Sequence, residues 1–325
     1  MHVSPWLWLC FFVVGPALIA IEMFVLPRGN PLPLRTALIS SVVCFAIGLA
    51  FGSLVGLDAG EKYAIKYETG FLIEKGLTID QVLVFALFLH AFAPPATIGR
   101  RLVYWSLTFG LFMRVPFIVL GSYLGETTSW VAAILVSSAF FAGTVLLVRT
   151  RHHEPDPRHG WFVRRLALDH RIESSYQGTK LVVRTPEGRR VLTLAGVLLG
   201  ALLTADLFFA GAVPLGFSYA KPGILVFASS VFALLGFRSM FYVVANLELD
   251  VVKLKVGLAV VFALIGLDVL VHPAWEEHKP TWFIPLVALV AITIPVVAGV
   301  RGVRPGPPAG FGDGLTDPEP EPVTG

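Results

Sequence analysis

Nine apolar stretches run along the chain, each near the roughly 20 residues that carry a helix across a bilayer core of about 30 Å. They fall at about 5–26, 36–57, 70–93, 102–124, 130–149, 192–213, 223–246, 255–272 and 281–300. Short polar or helix-breaking segments separate them: Pro27-Arg28-Gly29-Asn30-Pro31, Pro94-Pro95, Gly125-Glu126, Lys221-Pro222-Gly223 and His272-Pro273. Gly211 and Pro214 offer an early end to the sixth stretch. The pattern predicts an all-α membrane protein of about nine transmembrane helices.

One long polar insertion interrupts the series. Residues 150–190 divide a first transmembrane half, 1–149, from a second, 191–304. The later part of the insertion, from Arg171 to Thr193, alternates polar and β-branched residues around Gly178 and Pro186-Glu187-Gly188. That alternation predicts a small β-hairpin unit. The Pro- and Gly-rich tail, 305–325, has the composition of a disordered segment.

Composition agrees with the pattern. The chain has 325 residues, 55% of them hydrophobic and only 14% charged, with a mean hydropathy of +0.76; a soluble domain carries about 25% charged residues. A net charge of +3 is no signal for nucleic acid. Both cysteines, Cys10 and Cys44, sit in apolar stretches, so they supply neither a disulfide framework nor a zinc cluster. The first stretch has no Lys or Arg before it and no small-x-small site after it, which predicts a retained span rather than a cleaved leader.

Charge distribution sets the expected orientation. Arg28 and Arg35, Arg100 and Arg101, the basic segment 149–190, Lys253 and Lys255, and Arg301 and Arg304 gather on one side. The opposite side is acidic or mixed, with Asp58, Glu61, Lys62, Lys66 and Glu68, then Glu126, Lys221, Glu276, Glu277 and Lys279. The excess of Lys and Arg predicts a multi-pass protein of the cell membrane with the N-terminus outside and the C-terminus cytoplasmic. His152, His153 and His159 read better as a solvated basic loop near anionic headgroups than as a metal site. Trp6, Trp8, Trp130 and Trp282 are expected as interfacial anchors.

Candidate chemistry lies where polar residues interrupt the apolar runs. Glu74, Thr78, Asp80 and Gln81 lie in or beside the third stretch, Asp206 in the sixth, and Glu22 near the end of the first. A carboxylate at membrane depth costs at least about 2.5–3.5 kcal/mol. Such residues pair, bind or line a water path. Glu74, Thr78 and Gln81 share one helix face, and Asp80 lies about 120° round from Glu74. One ion held by both acids needs a local break, for which Gly76 and Thr78 are candidates. Two arginines, Arg114 and Arg238, open an alternative: Asp80 with Arg114 and Glu22 with Arg238 lie at similar depths and suit static ion pairs. His90 and Asp268, near span ends, read as interfacial residues.

Residues 104–121 and 228–245 resemble each other at an offset of 124, matching Arg114 to Arg238, Phe117 to Phe241 and Val119 to Val243. Each segment follows a span with a buried-depth Asp, Asp80 or Asp206. The units start three spans apart and so cross the membrane in opposite senses, as in inverted-repeat transporters.

On these residues the chain resembles the TerC family of integral membrane proteins, which contains the Alx-type proteins. The family's first motif, similar to ExxLSxDN, stands here as Glu74-Lys75-Gly76-Leu77-Thr78-Ile79-Asp80-Gln81, and the resemblance covers about residues 65–270. The second motif, similar to ExTDxxFAxDSxPA, stands as Leu203-Thr204-Ala205-Asp206-Leu207-Phe208-Phe209-Ala210-Gly211-Ala212-Val213-Pro214, which retains one of three acids. The resemblance implies export of Mn²⁺ or a related divalent cation, with tellurite resistance as an associated property and no resident cofactor. Oxygen donors from Glu22, Glu74, Thr78, Asp80, Gln81 and Asp206 suit such a hard ion. A membrane scaffold or metal-stress partner that kept the fold and lost part of the site is the alternative. No HExxH or nucleophile context points to an enzyme.

Overall fold

A computed structural model of the chain describes residues 5–20, 32–127, 129–152, 172–173, 176, 180–184, 190–212, 223–275 and 283–303. Five helices come first: α1 (Pro5–Ala20), α2 (Leu34–Ala59), α3 (Glu61–Phe92), α4 (Ala96–Thr127) and α5 (Ser129–Arg149). Strands β1 (Ile172–Glu173), β2 (Val182–Arg184) and β3 (Arg190–Thr193) follow, leading into α6 (Leu194–Gly211). The remainder is α7 (Gly223–Leu234), α8 (Phe237–Ala245), β4 (Leu247–Leu249), α9 (Val251–Trp275), α10 (Phe283–Gly299) and β5 (Val300–Val303). Among the described residues, five stretches are long and apolar enough to cross a membrane: Leu34–Ala59, Arg101–Leu120, Leu194–Gly211, Leu225–Ala245 and Val251–Val271.

Helix ends follow local chemistry. Gly60, at φ 99°, separates α2 from α3 in a backbone conformation that only glycine adopts at no steric cost. At the other end of α3, Ala93 takes a left-handed conformation before Pro94-Pro95, where the helix cannot continue. Thr193 caps α6 by accepting from the Gly196 N–H at 3.2 Å, and α6 stops at Gly211, the earlier of its two expected ends.

α3 is the axis of the molecule and packs against α2, α6, α7, α8 and α10. Two apolar clusters surround it. Tyr67 and Phe71 of α3 join Phe11, Phe51, Val55, Ile118, Leu225 and Phe232 in one. Leu77, Phe85 and Leu89 join Leu102, Leu198, Leu202, Phe237, Leu258 and Phe262 in the other. Glu74 and Lys75 fall at the changeover between them. Outward positions such as Ile39, Val42, Leu57, Phe112, Leu135 and Leu146 are apolar and exposed, the inverse of a water-soluble surface. Trp6 and Trp130 are exposed, whereas Trp282 lies outside the described residues.

The expected hairpin is present. β2 pairs antiparallel with β3, Val183 opposite Val191, and β1 adds to β3 in parallel. Tyr176 ties this unit to the helices by donating to the Phe92 carbonyl at the end of α3, 2.7 Å away. His152 is exposed, and His153, His159 and the tail from Pro305 lie outside the described residues.

A second small sheet was not foreseen from the sequence. β4 pairs antiparallel with β5, joining the start of α9 to the end of α10. Asp250 organises this corner. Its N–H donates to the Gly299 carbonyl at 2.7 Å, and its carboxylate caps α9 by accepting from the Lys253 N–H at 3.2 Å. Arg301 adds a 2.8 Å ion pair to the same carboxylate. The Lys253 N–H, then Arg301, hold the Asp250 carboxyl below the usual carboxylate range. Because the folded-state value is depressed, the carboxylate stabilises the clasp above the unfolded value of about 3.9, and this is lost as pH falls through the lower folded value. Asn caps a helix as well as Asp does, so Asp250→Asn isolates the charge. Its thermal unfolding in detergent is expected to lie below wild type at pH 7 and to approach it as pH falls below the unfolded carboxylate value.

Candidate functional site

The polar face of α3 meets three other helices. Glu74, Thr78 and Gln81 are spaced at i, i+4 and i+7 and lie along one side. Glu74 is 2% exposed and its two carboxylate oxygens go separate ways. Oε2 receives Arg114 of α4 in a buried ion pair, and Oε1 accepts from Ser230 of α7 at 2.6 Å. Thr78 donates back to the Glu74 carbonyl at 2.7 Å, within its own helix. One turn further on, the Gln81 amide donates to Asp206 Oδ1 of α6, and Ser106 of α4 donates to Oδ2. Gly110 makes room for that carboxylate: a Cβ there would stand 2.9 Å from Asp206 Oδ1. Two buried acids are thus each held by a serine from a different helix.

Asp80 differs. It is 0% exposed, on another face of α3, and neither carboxylate oxygen has a hydrogen-bond partner among the described residues. Gln81 Oε1, one residue along, is buried and unpartnered as well. Buried polar groups are ordinarily satisfied, and an unpaired carboxylate is the costliest exception. Three oxygens on consecutive residues thus have no hydrogen-bond partner among the described residues and are available as oxygen donors. No group of three or more His, Cys, Asp or Glu converges among the described residues, so any such ion would draw on amide, hydroxyl, carbonyl or water oxygen too.

A family model described as "Integral membrane protein TerC family" matches residues 59–303. The chain belongs to the TerC family. Among its relatives, "Uncharacterized membrane protein STKORF319" of Myxococcus xanthus is 28% identical over 81% of this chain and 82% of its own length. "Putative membrane-bound redox modulator Alx" of Photorhabdus laumondii is 26% identical over 82% of this chain and 87% of its own. The protein of the same name from Escherichia coli is 25% identical over 91% and 92%. No solved structure matches the chain.

Several expectations for this TerC protein change in the structure. Arg114 pairs with Glu74, not with Asp80: the two acids lie on different faces of α3, and Arg114 approaches the Glu74 face. α3 is unbroken from Glu61 to Phe92, so the expected break at Gly76 or Thr78 is absent, and Thr78 spends its hydroxyl proton on its own helix. The break occurs instead in the Leu225–Ala245 span, between α7 and α8, where Gly236 has φ 83°. Glu22 lies outside the described residues, and its pairing with Arg238 with it. Arg238 is buried, with its guanidinium 5.6 Å from the ring centres of both Tyr104 and Tyr242. His90 is exposed at the last turn of α3.

Three functional contacts escaped the sequence reading. Ser106 and Ser230 hold the two acids, and they stand 124 positions apart, the same offset that relates Arg114 to Arg238. That shared offset was the available signal. Lys75, between Glu74 and Gly76 of the motif, is 3% exposed and donates to the Leu235 and Ala233 carbonyls at 2.6 and 3.1 Å. A lysine beside an acid in an apolar run was the signal there.

The Arg114–Glu74 pair sets a stability test. Removing one member of a buried pair costs about 3–5 kcal/mol because the other is left uncompensated. Arg114→Ala is expected to lower the unfolding midpoint in detergent, and adding Glu74→Gln to it should restore about half of the loss. Gly110→Ala is expected to cost about 1–3 kcal/mol by overpacking against the Asp206 carboxylate. That cost should nearly vanish on an Asp206→Ala background, as a double-mutant cycle measures.

Proposed function

We propose that the chain is a secondary transporter exporting Mn²⁺ or a related divalent cation across the cell membrane, with protons as counter-ion. The observation that carries this reading is Asp80, fully buried with both carboxylate oxygens unpartnered, next to the unpartnered Gln81 Oε1. A bare carboxylate is the costly state in such surroundings. A divalent cation relieves it, and a proton relieves it when the ion leaves. Hard oxygen ligands favour Mn²⁺ and its neighbours over soft metals. Asp206, one hydrogen bond away through Gln81, adds a second carboxylate as the ion moves.

The reading includes nine passes, N-terminus outside, residues 150–190 cytoplasmic, and halves related as an inverted repeat. Supporting the repeat is a reciprocal pattern: Ser106 of the first half holds Asp206 of the second, and Ser230 of the second holds Glu74 of the first. Inverted repeats place ion sites where the halves meet. In this reading Glu74, tied by Arg114 and Ser230, positions α3, and Asp80 with Gln81 binds the ion. The redox role in the Alx name is not carried over, since Cys10 and Cys44 form no Cys-x-x-Cys motif.

A scaffold or metal-stress partner is the second reading. It is favoured by the lack of any three-acid cluster among the described residues and by the commitment of Glu74 and Asp206 to protein partners.

Asp80→Asn preserves size and removes the charge. In cells lacking the chromosomal copy, it is expected to abolish manganese tolerance at unchanged protein level and to leave more Mn²⁺ inside. Asp206→Asn should weaken tolerance less. Full tolerance with Asp80→Asn would end the transport reading and leave the scaffold.

A further inference from the structure

The Leu225–Ala245 span is interrupted at its middle: α7 stops at Leu234, α8 begins at Phe237, and Gly236 turns the chain through a left-handed conformation. A Cβ at Gly236 would lie 2.8 Å from that of Cys44, so the turn is also pressed against α2. A break of this kind leaves carbonyl groups of the last helical turn without the N–H groups that a continuous helix would supply. Water that would satisfy them is missing from a bilayer core. The carbonyl end of a helix also carries partial negative charge. The interrupted helices of transporters present such carbonyls to cations, and carbonyl oxygens replace an ion's water shell in selective pores.

Here the carbonyls receive a side chain. Lys75 reaches from α3 and places Nζ 2.6 Å from the Leu235 oxygen and 3.1 Å from the Ala233 oxygen. Lys75, Ala233 and Leu235 are all buried. A lysine ammonium is a compact point charge with three donors, close in chemistry to a bound monovalent cation. Its neighbour Glu74 meets Ser230 one turn earlier on α7, so consecutive residues of α3 hold both the last full turn and the break.

We propose that the carbonyls at the α7–α8 break form a cation seat whose resident cation is the Lys75 ammonium. A small monovalent cation, above all a primary ammonium, occupies the seat once the Lys75 side chain is removed. The seat is made of the Ala233 and Leu235 carbonyls, uses neither Asp80 oxygen and requires no movement of Mn²⁺, so it stands or falls independently of the transport reading.

The test measures thermal unfolding of the full chain in detergent, in choline chloride and in equal concentrations of sodium, potassium, ammonium and methylammonium chloride. Wild type is expected to show no preference among them. Lys75→Met and Lys75→Gln should each lose at least about 5 °C in choline, from unsatisfied buried carbonyls and lost charge. Ammonium or methylammonium should return half or more of that loss. A Gln variant as stable as wild type would reduce Lys75 to a neutral cap and overturn the seat. A loss that no small cation reverses would overturn it in favour of packing. Where Met and Gln variants fail to accumulate in the membrane, Lys75→Arg decides. Wild-type accumulation of the Arg variant upholds the requirement for charge, and equal failure of all three rejects it.

Discussion

A polar group at membrane depth has to find its partner inside the protein, and the arrangement of helices around α3 depends on that constraint. Five of the eight residues from Glu74 to Gln81 are polar or charged and buried: Glu74, Lys75, Thr78, Asp80 and Gln81. Three helices answer Glu74, Lys75 and Gln81. α4 brings Arg114 to Glu74, α6 brings Asp206 to Gln81, and α7 brings Ser230 to Glu74 and its terminal carbonyls to Lys75. Apolar side chains pack against one another in many registers at similar energy, and lipid competes for them. Hydrogen-bonded charges accept one register, so these contacts fix the rotation and height of each helix.

The same constraint separates the satisfied residues from the unsatisfied one. Glu74 and Asp206 have their oxygens filled by protein donors and act as joints of the bundle. Asp80, in the same motif as Glu74 and equally buried, has none among the described residues. The described residues supply two serines, an arginine and an amide to two acids, and no hydrogen bond to a third a few residues away. Away from this centre the connections are of ordinary kinds: Tyr176 on the Phe92 carbonyl, Asn246 on the Leu32 carbonyl at 3.1 Å, and the β4–β5 pair around Asp250. These tie the ends of helices and leave the middle to the polar contacts.

The costly polar residues of the apolar runs were legible in the sequence, and their pairing was not. Glu74, Asp80, Asp206, Arg114 and Arg238 stand out because charge in an apolar run is costly wherever the run folds. Depth along a helix does not choose between Glu74 and Asp80 as the partner of Arg114. They are six residues, or about 9 Å, apart, a separation that a long arginine side chain largely spans. The break in the Leu225–Ala245 span was equally hidden, because Gly236 sits among apolar residues that read as one helix. The backbone at Gly236, at φ 83°, shows the turn, and contact with α2 and the carbonyl-directed Lys75 accompany it.

What the sequence determined by itself was therefore local and compositional: apolar runs long enough for lipid, the polar insertion with its alternating strands, and the set of charges too costly to be idle. These follow from the free energy of transferring individual side chains, which each residue carries with it. The tertiary structure alone decided that Arg114 meets Glu74, that Ser230 and Ser106 hold the Glu74 and Asp206 carboxylates across helices, that β4 pairs with β5, and that Asp80 has no hydrogen-bond partner among the described residues. Those outcomes depend on the rotation and height of one helix against the next. Such geometry is set jointly by many contacts and is written in no single segment of the chain.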